Sequence, residues 1–265
     1  MRMETVRGVG RAQALAREVV LEVADTVRPG QSERQVVDAL ERRFAKAKVR
    51  RWIHTPYAWF GARSRFGGFE VWEADALPTE RVLEDGEPFV LDAAPLVDGF
   101  PADFAVSGFS GAHPEHARLL VALSAIKDRL VALAKEATDG TALFRAVGAL
   151  AVELGAEVVH DRYPAGVLGH TFSPFPNLFG HLPRLGDGFQ PPLLLTYAVA
   201  LGAHQLLGHP YPMINEGARG PLRGLFAVEP HLAAGEVGAK FESILLVDGD
   251  ETRWLDPALF GEVVG

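Results

Sequence analysis

Between residues 9 and 27 apolar side chains recur at three- and four-residue intervals. Leu15, Val19, Val20 and Val23 stand among Arg11, Arg17, Glu18 and Glu22, a period that predicts an amphipathic helix. Arg28-Pro29-Gly30 ends it, and Ser32 with Gln35 has the spacing of a capping box that opens a second helix through Val36, Val37, Leu40 and Phe44. The same order returns from Leu119 to Leu154, where a long helix ends at Thr138-Asp139-Gly140. Another begins at Thr141 and carries Leu143, Phe144, Val147, Leu150 and Leu154. Gly30 and Gly140 are 110 residues apart, and a β-rich stretch follows each helix pair, Pro88 to Phe109 and then Leu225 to Val247. This repetition predicts an internal duplication. We read one α/β (α+β) domain over 1–265, with pseudo-repeats of about 9–110 and 115–250 sharing a sheet and a core, and an aromatic, proline-rich insertion at 171–222.

Two predicted hairpins carry four carboxylates. In the first, Asp98-Gly99 between extended runs is a strong two-residue turn signal, which sets Val97 against Phe100 and Asp103 against Ala94. Asp92 is then the diagonal neighbour of Asp103 on the same face, roughly 7–8 Å away at the backbone. In the second hairpin a symmetric loop through Ala233 to Gly238 places Glu229 directly opposite Glu242, each flanked by apolar strand residues. Like charges opposed across a ladder destabilise it, and a buried carboxylate without a partner costs several kcal/mol. Something positive is therefore expected between them. Lys240 is the one basic residue at a matching inward position, and four clustered oxygens exceed what one salt bridge uses, so a divalent metal fits best.

Composition narrows the chemistry. Of 265 residues 48% are hydrophobic and 23% charged, which suits a globular chain with a substantial core. A net charge of −8 disfavours a broad basic face, so nucleic acid is not an expected partner. The absence of cysteine excludes disulfides, thiolate metal sites and cysteine nucleophiles. The first twenty residues carry Glu4, Arg7, Arg11, Arg17 and Glu18 and do not read as a signal peptide. Gly188 to Asn215 lacks Asp, Glu, Lys and Arg, but prolines, glycines and histidines break its apolar runs well short of a membrane span. A cytoplasmic protein with no membrane partner is expected. The aromatic cluster of Trp52, Tyr57, Trp59, Phe60, Phe66, Phe69 and Trp72 reads as core, with a wall for an apolar or prolyl side chain as the alternative. His113, His116 and His160 attract no function, and Gly8-Val-Gly10 and Gly108-Phe-Ser-Gly111 lack the context of a nucleotide-binding fingerprint.

At this point the residues resemble the pita-bread metallopeptidases, namely methionine aminopeptidase, aminopeptidase P and prolidase, with their non-peptidase relative creatinase. Val27-Arg-Pro-Gly30 with Ser32-Glu33 is similar to the family's helix–turn–helix opening, and Asp92 and Asp103 keep its eleven-residue spacing. Leu168-Gly169-His170 resembles its Gly-His segment, Val228-Glu229-Pro230 its Glu-Pro strand and Phe241-Glu242-Ser243 its last ligand. The resemblance covers nearly the whole chain and implies the pita-bread fold. It implies two divalent ions, Mn²⁺, Co²⁺, Fe²⁺ or Zn²⁺, with Asp92 on one, His170 and Glu229 on the other, and Asp103 and Glu242 bridging. It further implies hydrolysis of an N-terminal peptide bond, with Glu229 as proton shuttle and His181, eleven residues beyond His170, beside the substrate carbonyl.

Departures from the family pattern concern the substrate. Thr171-Phe-Ser-Pro replaces a Gly-rich continuation, Ala105-Val106 stands where Thr-Arg is usual, and Phe60-Gly-Ala-Arg-Ser-Arg-Phe-Gly-Gly has no histidine. His54 lies upstream and reads first as an ordinary core or surface histidine. With His204 and His209 it is carried as a substrate-binding candidate. The expected activity is that of a short Xaa-Pro peptidase acting on short peptides, because the length leaves no room for a separate N-terminal domain. Methionine aminopeptidase and a metal-free binding protein of the same fold are the alternatives, and either a monomer or a homodimer is compatible.

Overall fold

A computed structural model describes residues 3–171 and 213–255. The helices are α1 (Met3–Ala24), α2 (Glu33–Lys46), the single turn α3 (Trp72–Asp75), α4 (Pro114–Glu136) and α5 (Gly140–Glu153). The strands are β1 (Trp52–Phe60), β2 (Pro88–Val97), β3 (Phe100–Pro101), β4 (Phe104–Phe109), β5 (Glu157–Val158), β6 (Gly169–Thr171), β7 (Met213–Ile214), β8 (Gly224–Val228), β9 (His231–Ala234), β10 (Val237–Lys240), β11 (Ser243–Val247) and β12 (Arg253–Trp254). In one sheet β2 is flanked by β1 and β4 and continued by β3; the others run β10-β9-β5 and β12-β11-β8-β6-β7. A two-way bridge between Ala105 and Glu242 ties the first sheet to the last hairpin.

The helix signals act as their chemistry requires. Ser32 accepts from the Gln35 N–H while the Gln35 side chain accepts from the Ser32 N–H, so both orphan donors at the start of α2 are satisfied. Asp139 caps α5 through the Ala142 N–H. Helix α1 begins well before residue 9, running through Gly8, where a Cβ would come within 2.4 Å of the Phe100 ring. The small residue is retained for close helix–sheet packing, which a propensity reading would have scored only as a weak helix former. One apolar core takes in Val20, Leu40, Leu123, Val147, Phe226 and Leu245, and so draws on both predicted repeats. A second cluster gathers Trp59, Phe66, Tyr163 and Val167, with Tyr57, Phe69 and Trp72 packed on it, so the aromatic run is mainly structural.

Both hairpin registers agree with those read from the turns. Asp98 and Gly99 have φ of 50° and 82°, both positive as a type I′ turn needs, and Val97 pairs with Phe100. In the second hairpin Val228 pairs with Ser243, the register that sets Glu229 against Glu242. Its loop is tighter than expected: β9 and β10 pair out to Ala234 and Val237, leaving Gly235-Glu236 at the tip.

Glu33 is fully buried at the start of α2 and accepts from the Phe60 and Thr79 N–H groups, the Thr79 hydroxyl and the Arg63 guanidinium. It thereby fastens the end of β1 to the helix pair. Two other buried groups give the fold a pH dependence. Burial, with His113 adding to it, holds His116 down to about 4. Burial likewise holds His160 at about 4. Unfolded, each binds a proton near 6.5, so stability should fall as pH drops from about 6.5 to about 4, by up to roughly 3 kcal/mol per histidine. Thermal melts from pH 7.5 to 4.5 should show this fall, and His116→Phe should flatten it; an unchanged pH slope in the variant would refute the assignment.

Candidate metal centre

The centre lies where the two hairpins meet. Asp92 is central in β2 and 3% exposed; Asp103 lies between β3 and β4 and is 1% exposed. Glu229 follows β8, Glu242 precedes β11, and both are buried. His170 sits in β6 opposite Ala227, and the preceding Gly169 packs so closely on β8 that a Cβ would lie 2.4 Å from the Ala227 carbonyl oxygen. That close crossing lets His170 reach the carboxylates. Asp103 is held through its backbone: buried Gln13 of α1 donates to its C=O at 2.7 Å and accepts from its N–H at 3.1 Å.

Five predicted ligands therefore converge. His170 Nε2 is 3.5 Å from Asp103 Oδ2 and 3.9 Å from Glu242 Oε1. His54, first read as an ordinary histidine, is part of the same cluster, with Nε2 3.6 Å from Asp92 Oδ1 and 3.7 Å from Asp103 Oδ1. These separations exceed hydrogen-bond lengths. They are close to the spacing of donors around a shared ion, since two ligands bound at about 2.0–2.2 Å stand roughly 3–3.6 Å apart, with 3.5 and 3.6 Å inside that range and 3.7 and 3.9 Å just above it. His181, His204 and His209 lie outside the described residues.

The expected positive charge is present in the chain itself. Lys240, fully buried at the end of β10, donates to Asp92 Oδ2 at 2.8 Å, Glu229 Oε2 at 2.9 Å and Glu242 Oε2 at 3.0 Å. Its backbone is clamped to β4 by Ser107, whose hydroxyl donates to the Lys240 C=O at 2.8 Å and accepts from its N–H at 2.7 Å. Tyr163 backs it, ring 5.2 Å from Nζ, and its hydroxyl donates to His231 Nδ1 at 3.2 Å. The sequence signal for Lys240 was its parity with Glu242 in an apolar strand. Tyr163 and Gln13 had no local signal, because what marks them is contact across the fold.

Electrostatically the cluster is under tension. Burial, then the Asp103 and Glu229 carboxylates, push Glu242 well above the usual carboxylate range, and burial likewise raises Glu229 despite Lys240. Asp103 moves the other way: burial would raise it, but the His170 and His54 imidazoles hold it well down. For His54 burial opposes the charge, yet Asp103 and Asp92 outweigh it and raise the ring to about 9. Two buried oxygens, Asp92 Oδ1 and Asp103 Oδ1, have no hydrogen-bond partner among the described residues. Unpartnered, deeply buried anionic oxygens beside imidazole nitrogens are the donor set that a divalent ion satisfies, and the residues fit one. Among the described residues two groups meet ligand spacing, His54–Asp92–Asp103 and Asp103–His170–Glu242.

Comparison with known proteins identifies the family and the fold. Residues 7–249 match metallopeptidase family M24. The X-Pro aminopeptidase from Thermotoga maritima superposes with a TM-score of 0.68 at 17% identity, covering 96% of this chain and 61% of that one. The prolidase from Pyrococcus furiosus gives 0.69 at 17%, covering 96% and 64%. The methionine aminopeptidase from Rickettsia prowazekii gives 0.62 at 16%, covering 96% and 98%. The chain thus spans less than two thirds of the first two and is nearly coextensive with the third. At these identities the likeness is one of fold, and the fold is the pita-bread fold. No curated protein matches. Among the described residues no helix is long and apolar enough to cross a membrane.

Proposed function

We propose that this chain, which belongs to metallopeptidase family M24, is a divalent-metal-dependent peptidase that removes the N-terminal residue from short peptides, with Xaa-Pro substrates preferred. The observation that carries the reading is the convergence of Asp92, Asp103, His170, Glu229 and Glu242, with two buried carboxylate oxygens left unpartnered. Divalent ions held by these residues supply a Lewis acid and lower the pKa of a bound water. The rest of the chemistry falls to the chain. The Glu229 carboxyl, buried beside the other ligands, is placed to take a proton from an attacking water and return it to the leaving amine. Lys240 fixes the orientation of that carboxyl through Oε2. In this reading His181, His204 and His209, which lie outside the described residues, are the candidates for contact with substrate. Half-buried Tyr57, stacked at 5.5 Å on Trp59, supplies an apolar wall suited to a prolyl ring.

The likeness in fold to a methionine aminopeptidase supports a second reading, cleavage after an N-terminal methionine. The test is hydrolysis of an Xaa-Pro dipeptide, an Xaa-Pro tripeptide and a Met-Ala peptide by protein reconstituted with Mn²⁺, Co²⁺, Fe²⁺ or Zn²⁺, with and without chelator. Cleavage of Xaa-Pro bonds that chelator abolishes is expected. Preference for Met-Ala would replace the subtype, and a folded, metal-loaded protein that cleaves none of the three would overturn the peptidase reading in favour of a binding protein.

A further inference from the structure

His54 stands apart from the five ligands that the family resemblance implied, and its surroundings assign it a role. The β1–β2 ladder is irregular on both sides of it: register shifts fall between Trp52 and His54 and between His54 and Tyr57. Such bulges re-aim a side chain, and here the result is an imidazole that meets the face of β2 carrying Asp92. The ring is fixed in two ways. Nδ1 is 2.9 Å from the Thr55 carbonyl oxygen, to which its N–H donates, and the ring stacks on Tyr57 at 4.7 Å and 5°. A backbone acceptor on one ring nitrogen orients the other as a ligand, the usual arrangement behind a metal-bound histidine.

Nε2 then points between Asp92 Oδ1 and Asp103 Oδ1, at 3.6 and 3.7 Å. Among the described residues these are the two buried carboxylate oxygens without a hydrogen-bond partner. Lys240 explains why an extra donor is needed, because it occupies Asp92 Oδ2 and Glu242 Oε2 and leaves each of those carboxylates one oxygen for an ion. Asp103 keeps both oxygens on the histidine side, one toward His54 and one toward His170.

Building on the metal-dependent reading above, we propose that His54 is a metal ligand, forming a divalent-ion site with Asp92 Oδ1 and Asp103 Oδ1 that is distinct from the site of Asp103, His170 and Glu242. Asp103 is the shared ligand of the two sites. Lys240 supplies the charge compensation that would otherwise require both oxygens of Asp92 and Glu242 to reach metal.

Equilibrium dialysis against Mn²⁺, with bound metal counted per chain, tests the assignment in wild type, His54→Ala and His170→Ala. Two ions are expected in wild type. In His54→Ala one of them should weaken at least tenfold while the other is retained, and His170→Ala should show the converse. Two ions bound with unchanged affinity in His54→Ala would overturn the proposal, as would a wild type whose only ion is lost in His170→Ala and kept in His54→Ala. Should His54→Ala fail to fold, the imidazole ¹⁵N shifts of wild type on adding Zn²⁺ decide: a coordination shift at His54 Nε2 supports the proposal and an unmoved resonance refutes it. Peptide cleavage is scored separately. Loss of one ion in His54→Ala by a protein that hydrolyses none of the peptides leaves this proposal standing and refutes the peptidase reading.

Discussion

Asp103→Ala is expected to abolish peptide hydrolysis while leaving a folded protein. Asp103 is the one carboxylate that faces both imidazoles, with Oδ2 at 3.5 Å from His170 and Oδ1 at 3.7 Å from His54. Its loss removes a donor from both ligand groups at once. The activity should drop by at least the about 10²–10³-fold that deleting a single transition-state donor costs in other enzymes, and bound metal should fall with it. Fold stability should not follow. The Gln13 amide bonds the backbone N–H and C=O of residue 103, which alanine retains, and the substitution relieves the pressure that Asp103 exerts on buried Glu242. Steady-state hydrolysis, metal content and a thermal melt on the same preparation check the three parts together. Normal hydrolysis in the variant would show that the centre is not the site of catalysis, and collapse of the melt would show that Asp103 is structural first.

Lys240→Met should have the largest effect on stability, and chiefly in metal-free protein. The ammonium bonds three buried carboxylates, and removing one member of a buried charged cluster costs about 3–5 kcal/mol because the partners are left uncompensated. Protonation of Glu242, already pushed up by burial and its neighbours, limits the cost to that range. For a chain of this size about 1 kcal/mol corresponds to roughly 2–4 °C in Tm, so a fall on the order of 10 °C is expected in chelator. Divalent metal should restore most of the loss, and should raise Tm by more in the variant than in wild type, since ion binding then meets fewer occupied carboxylate oxygens. The Ser107 clamp acts on the Lys240 backbone and survives the change. Equal Tm values with and without chelator would refute the view that lysine and metal compensate the same charge.

Much of this centre was legible along the chain because the governing contacts are short in sequence. A two-residue Asp-Gly turn dictates strand twist and register, and register in a two-residue period dictates which side chains share a face, so Asp92 and Asp103 could be placed together from the turn alone. The Glu229–Glu242 pairing followed from the same symmetry, even though the loop closed two residues tighter at each strand than expected. Capping at Ser32 is equally local. That His54 lies beside Asp92 and Asp103 was not legible along the chain for a physical reason: the shifts that aim it are irregularities in the ladder with a strand some forty residues away, and a period-two reading cannot foresee an extra residue.

The chain's own pattern thus determined the helix pairs, the two hairpins, their registers and the need for buried positive charge among four carboxylates. Tertiary structure decided how that charge is met. Lys240 lies 148 residues from Asp92, and Gln13 lies 90 from Asp103. Parity with Glu242 marks Lys240 as inward, but no periodicity betrays which carboxylates it reaches or that Gln13 reaches Asp103, because each contact exists only once the elements have packed on one another. Desolvation by that closure also sets which oxygens find a hydrogen-bond partner and which, like Asp92 Oδ1 and Asp103 Oδ1, are left facing a histidine. Residue types and spacing supplied the donors, and packing determined which of their lone pairs remain for an ion.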